Sequence, residues 1–203
     1  MYEDIRENIV KISRRAYDRG HVAACSGNIS VRTPDEDGFV IKASGTSFAD
    51  MGIDDLLFVD WQGDVFECDD MSPSARRPSI ETAMHSGLYA AKGNRIRAVV
   101  HLHSPYTTAV SFLTGEIPLV VQEARLALKR VPVVANLPAG SNALAAAVKK
   151  IFLRWDISVA VMGEHGPVAI GESLNEAFCN VDMLEHNAYI ATIMHQVKLV
   201  GRL

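Results

Sequence analysis

Between Glu3 and Arg19 the apolar positions Ile5, Ile9, Ile12 and Ala16 recur at helical spacing, and Gly20 follows as a stop, so the chain is predicted to open with an amphipathic helix. The period then changes. "NISVR" and "GFVIKAS" are short, rich in β-branched and aromatic residues, and separated by the turn-forming "TPDED", which predicts two strands in hairpin-like succession. A short helix is expected over "SFADMGIDDL", then a strand over "LLFVDW" closed by Gln62-Gly63. Ser79 to Ala91 reads as a helix ended by Lys92-Gly93-Asn94, Ala98 to His103 as a strand, and the segment after Pro105 as a helix through Phe112. "EIPLVVQEARLAL" has no single clear period, whereas "VPVV" suits a short strand and "SNALAAAVKKIFL" a helix capped by Ser141. "SVAVMGEHGPVAIG" predicts two strands joined by a turn at His165-Gly166-Pro167, and "LNEAFCNVDMLEHNAYIATIMHQV" a long closing helix. Strands and helices alternate without a nucleotide-binding glycine fingerprint, so a mixed, three-layer sheet fold is expected rather than a doubly wound dinucleotide domain.

Composition narrows this picture. With 203 residues, 48% of them hydrophobic, the chain can bury one substantial core, and residues 1–203 read as a single domain. Cys25, Cys68 and Cys179 are odd in number and form no CxxC pair, which fits a reducing, cytoplasmic setting. No uncharged apolar run reaches the roughly 18 residues of a membrane span. The formal net charge is −4 and no basic block dominates, so neither nucleic acid nor a membrane is an expected partner. The short "SARRPS" suits a small anion at most.

Candidate chemistry centres on "RAVVHLHSPYTTAV". On a strand, His101 and His103 point from one face about 6 to 7 Å apart, close enough to converge on one ion. His165, where an apolar strand meets a glycine-proline turn, is the natural third imidazole. Three neutral imidazoles with an open position suit zinc, and Mn or Co could occupy the same set. The alternative for each ring is a buried histidine satisfied by a carbonyl. Glu81 could ligate the metal or act as a base, or could merely complement a helix dipole. His85, four residues on, reads as a packed or surface histidine. "SGN" at Ser26 to Asn28, "SGTS" at Ser44 to Ser47 and "PS" before Ile80 offer neutral donors to an anion, with Lys42, Arg76 or Arg77 as possible charged helpers.

The segments "SGNISVR", "VIKASGT", "PSIETAMHSGLY", "AVVHLHSPYTTA", "VPVV" through "PAGS", and "GEHGPVAIG" occur in an order that resembles the class II aldolase/adducin family, notably its sugar-phosphate aldolases of the fuculose-phosphate type and related epimerases. The resemblance covers nearly the whole chain. It implies an α/β/α class II aldolase-like fold with a central, mostly antiparallel sheet. It implies His101, His103 and His165 as metal ligands, with Glu81 as a further ligand or proton carrier. Gly27, Asn28, Ser44, Gly45 and Ser79 would surround a substrate phosphate. Two departures stand out. Ile80 occupies a position where relatives often carry a second hydroxyl, and no tyrosine stands near Gln122, where related dehydratases instead place a glutamate. Glu123 is therefore the candidate acid or base for the second half-reaction. The implied activity is reversible aldol cleavage of a ketose 1-phosphate to dihydroxyacetone phosphate and an aldehyde. The alternatives are a pentulose-phosphate epimerase, a methylthioribulose-phosphate dehydratase and a noncatalytic, adducin-like interaction protein. Members of the family usually form homotetramers with active sites near subunit boundaries.

Overall fold

In a computed structural model the described residues are 1–66 and 76–200. Cys68 and the Ser74-Ala75 part of "SARRPS" lie outside them. The described residues form a seven-stranded sheet of order β3-β2-β1-β4-β7-β6-β5. Its strands are β1 (Asn28–Arg32), β2 (Gly38–Lys42), β3 (Leu56–Asp60), β4 (Ala98–His101), β5 (Val133–Val134), β6 (Val159–Met162) and β7 (Gly166–Gly171). The sheet is mixed. Its neighbours pair antiparallel except β5 and β6, which run parallel at one edge.

Helices cover both faces, so the layers are α/β/α. Alternation along each strand divides the core accordingly. Ala98 and Val100 of β4, Val159 and Val161 of β6, and Ala169 of β7 pack with α1 (Glu3–Asp18), α4 (Gln122–Leu128) and α6 (Leu174–Val200). Val99, Ala160, Met162, Val168 and Ile170 pack with α2 (Thr82–Lys92) and α5 (Asn142–Phe152). The opening stripe behaves as its spacing predicts: Ile9, Ile12 and Ala16 are buried on one side of α1. Ser141 caps α5 by accepting the Leu144 N–H at 3.1 Å. Among the described residues no helix is long and apolar enough to cross a membrane.

Four expected boundaries move. "SFADMGIDDL" contains only a single 3-10 turn, Ile53–Asp55; Phe48 and Met51 are three apart because both plug the core. β4 ends at His101, and His103 leaves the ladder with its N–H donating to the His21 carbonyl at 3.1 Å. The β6–β7 turn lies at residues 163–165, so Gly166 and Pro167 belong to β7, opposite Met162 and Val161. α2 begins at Thr82 and leaves Glu81 at its N-cap, while α3 (Pro105–Ser111) follows β4 as its proline suggests. The start of β1, the ends of β2, β4 and β6, and the start of β7 all lie at one end of the sheet.

Candidate metal centre and active site

That end of the sheet brings His101, His103 and His165 together. Their available donor atoms all lie within 4.8 Å of one another, and the Nε2 atoms of His101 and His103 are 3.2 Å apart. Two observations test whether this set fits a cation. The first is the tautomer of His101: its Nδ1 lies 2.9 Å from the Pro167 carbonyl, which can only accept, so Nδ1 carries the proton and Nε2 presents a lone pair to the cluster. The second is the electrostatics. Burial holds His101 well below the ordinary imidazole range, with His103 and His165 adding repulsion, and brings His103 down to about 4, with His165 and Lys42 adding repulsion; burial lowers His165 too, opposed by nearby Glu81. Three neutral imidazoles aimed at one point, with room for a further ligand, fit a divalent ion.

The strand register makes the arrangement rigid. Leu102 donates its N–H to Pro167 at 3.1 Å, tying the end of β4 to the start of β7 beside the turn that delivers His165. Behind His103, the buried His21 ring lies 2.8 Å from the Ser104 hydroxyl and 3.1 Å from Asp182, so the segment that supports His103 is itself anchored to α6. This histidine, isolated in the sequence, offers no local pattern that marks it.

Glu81 is buried in the wall of the same cavity, about 210 Å³ in volume, which the three histidines also line. Its Oε1 accepts the Gly140 N–H at 2.8 Å. The three-imidazole cluster does not include the carboxylate, which stands beside it. Gly140, at φ 71°, belongs to the "PAGS" turn entering α5, and Ala139 of that turn lines the cavity.

The cavity is also lined by Gly27, Asn28, Lys42, Ser44, Gly45 and Ser79, whose hydroxyl accepts the Glu81 N–H at 3.3 Å. These loops are joined by backbone: Ser79 donates to the Lys42 carbonyl at 3.2 Å and Ser44 to the Arg77 carbonyl at 2.8 Å. Gly27 has φ 76°, and a Cβ there would come within 3.0 Å of the His101 carbonyl, so a side chain would wedge the cradle away from the histidines. The Lys42 ammonium is buried over the Phe48 ring, 5.5 Å from its centre, and among the described residues its hydrogen-bond partners are the carbonyls of Cys25 at 3.2 Å and Ala43 at 3.4 Å; desolvation brings it down to about 8. A buried cation held by neutral acceptors is poised for an anionic ligand.

Of the other expected residues, Arg76 is exposed and engaged by Asp55, and exposed Arg77 is absent from the cavity lining. Glu123 lies on the exposed first turn of α4, also outside that lining. Ile80 is exposed at the cavity mouth. His85 is fully buried. Ser26, the first residue of the "SGN" donor loop, lines the cavity as that loop suggested, and so does Cys25, which no sequence pattern marks.

Residues 7–192 match the family model described as Class II Aldolase and Adducin N-terminal domain. The chain is 32% identical over 189 residues to an L-fuculose phosphate aldolase of Methanococcus maripaludis, covering 93% of this chain and 97% of that one. It is 29% identical to a 3-oxo-tetronate 4-phosphate decarboxylase of Escherichia coli, covering 95% and 88% of the two chains. Its fold is similar to the crystal structure of L-fuculose-1-phosphate aldolase from Thermus thermophilus, with TM-score 0.84, 27% identity and coverage of 96% and 95%.

Proposed function

The chain belongs to the class II aldolase/adducin family, and from that premise we propose that it is a zinc-dependent aldolase that reversibly cleaves a ketose 1-phosphate to dihydroxyacetone phosphate and an aldehyde. The observation that carries this reading is one cavity shared by three convergent imidazoles, a buried carboxylate and a buried ammonium. A divalent ion held by His101, His103 and His165, with Mn or Co as substitutes for zinc, supplies Lewis-acid neutralisation of charge on the substrate carbonyl oxygen.

The chain's own residues do the rest. Lys42, Asn28, Ser44 and Ser79 hold the phosphate, with the Gly27 and Gly45 backbone leaving room for it, so the phosphate serves as a handle and stays unbroken. In cleavage the C4 hydroxyl gives its proton to the acid–base group facing the aldehyde oxygen, the C4 oxygen forms the aldehyde C=O, the C3–C4 bond breaks, and its electron pair moves toward the ketone. Glu81 then returns a proton to C3, completing dihydroxyacetone phosphate. In the synthetic direction Glu81 removes that proton. Within one chain Glu123 lies outside the cavity lining, so its role as the acid facing the aldehyde oxygen is assigned to a neighbouring protomer of a homotetramer working in the cytoplasm. With substrate absent, Glu81, in the wall of the same cavity, would be a further ligand for that ion.

A panel of ketose 1-phosphates, pentulose phosphates and 3-oxo acid phosphates, with products identified directly, tests the proposal. Dihydroxyacetone phosphate plus an aldehyde supports it. An inverted stereocentre on an intact skeleton points to an epimerase, loss of water to a dehydratase, and loss of carbon dioxide to the chemistry named for the Escherichia coli relative. No turnover with any of them favours an adducin-like interaction protein.

A further inference from the structure

A polar chain crosses the otherwise apolar layer between the sheet and α2 and ends at the cavity. The Tyr89 hydroxyl lies 2.9 Å from Ser30 Oγ, Ser30 Oγ lies 2.6 Å from His85 Nδ1, and His85 Nε2 lies 2.5 Å from Asn28 Oδ1. Tyr89, Ser30 and His85 are all essentially inaccessible to solvent. The direction of the chain follows from its last link. An amide oxygen can only accept, so His85 Nε2 carries the proton and Nδ1 must accept from the Ser30 hydroxyl; Ser30 in turn accepts from Tyr89. Every member is satisfied in this one orientation, and burial, which brings the His85 ring down to about 3, keeps it neutral as this scheme requires.

The orientation has an outcome at Asn28. With Oδ1 engaged by His85, Nδ2 is the end of the amide left for a ligand in the cavity that Asn28 lines, and among the described residues it donates to no protein group. An asparagine with a free amide could turn either its acceptor or its donor toward a ligand. An anion tolerates only the donor. Resting on the phosphate cradle proposed above, we propose that His85 is a positioning residue that locks the Asn28 amide with its N–H₂ toward the substrate phosphate, with Ser30 and Tyr89 fixing the tautomer. The chain thus sets the polarity of the cradle from within the core, on the side of Asn28 away from the ligand.

The experiment uses inorganic phosphate as the probe, its Kd measured by calorimetry on the zinc-loaded protein, for wild type, Asn28→Ala, His85→Leu and His85→Gln. Asn28→Ala and His85→Leu should each weaken phosphate binding roughly 10- to 100-fold, with zinc content unchanged. His85→Gln, which restores a donor toward Oδ1, should recover much of the loss. Nitrogen-15 NMR of the wild type should show the His85 ring in its Nε2–H form. If Asn28→Ala binds phosphate normally, the cradle reading falls and this inference with it. Weakened binding in Asn28→Ala beside wild-type affinity in His85→Leu overturns the role of His85 alone. Joint loss of zinc and phosphate without rescue by glutamine would mark His85 as a core residue only. Should His85→Leu fail to fold, the glutamine variant and the tautomer decide: an Nδ1–H ring, or a glutamine variant no different from Asn28→Ala, overturns the proposal.

Discussion

Asn28 and His101 are direct partners in the β1–β4 ladder. Facing residues on neighbouring antiparallel strands project to the same side about 4.5–5.5 Å apart, so the proposed anion donor and the first imidazole stand on one rung. Their separation is set by the spacing of the sheet, and loop movement cannot alter it. This favours a substrate whose phosphate and reacting oxygens keep a fixed distance.

Zinc should stabilise the fold through the histidine cluster. At a free concentration about 100 times its Kd, the ion adds about 2.7 kcal/mol, which corresponds to a rise in Tm of roughly 5–10 °C for a domain of this size. Differential scanning calorimetry with and without chelator checks this. The rise should vanish in His101→Ala, His103→Ala and His165→Ala, and persist in His195→Ala, whose ring is exposed on α6. An equal shift in all four variants would place the ion elsewhere.

Stability should depend on His85 at acid pH. The ring titrates near its ordinary value in the unfolded chain and at about 3 in the fold, so between about pH 6.5 and 3 the unfolded state binds the extra proton. Its contribution is complete above that window and is lost as pH falls through it. Urea midpoints measured from pH 7 to 4 should therefore decline less steeply in His85→Gln, by up to one proton of uptake per molecule unfolded. Identical slopes would mean that the native ring is already charged.

Replacing Glu81 by glutamine keeps the side chain's size and an acceptor for Gly140 but removes its basicity. We expect a folded protein that retains zinc, with kcat reduced by roughly 10²- to 10⁴-fold. Exchange of the hydroxymethyl protons of dihydroxyacetone phosphate with deuterium, followed by proton NMR, should fall in parallel. Wild-type exchange would relieve Glu81 of the proton transfer.

Lys42 gives the phosphate reading a pH signature. Because burial brings its ammonium down to about 8, the cation is present below that pH and lost above it. The kcat/KM for a phosphorylated ketose, which reports groups of the free enzyme, should fall as pH rises through about 8. Lys42→Met should show a raised KM and no such limb; an unchanged limb would assign it to another group.

Much of this architecture was legible because its signals are local. Ile9, Ile12 and Ala16 mark α1 by period, Ser141 marks the start of α5, and the strand pair around His165 follows from two apolar runs. The misplaced features depend on contacts distant in sequence. Phe48 and Met51 imitate a helical stripe because both reach the same core from a turn. His103 is drawn out of β4 by the His21 carbonyl. Pro167, a turn residue by composition, fits β7 because its carbonyl is what the structure uses, accepting from Leu102 N–H and the His101 ring. Within the site the histidines were readable as residue types. The Gly140 contact to Glu81 and the His85 contact to Asn28 span 59 and 57 residues and have no local trace.

The hydrogen bond from Gly140 to Glu81 Oε1 bears on stereochemistry. A carboxylate free to spin about its last bond presents two equivalent oxygens and can meet a carbon from more than one direction. Here one oxygen is occupied by a backbone amide at 2.8 Å, which leaves Oε2 as the freer oxygen to carry the proton in the proposed reaction. A base so held takes only one of the two prochiral hydrogens of the hydroxymethyl carbon and returns a proton to the same side. In the proposed reaction, the turn that leads into α5 thus sets which of that carbon's two hydrogens is exchanged.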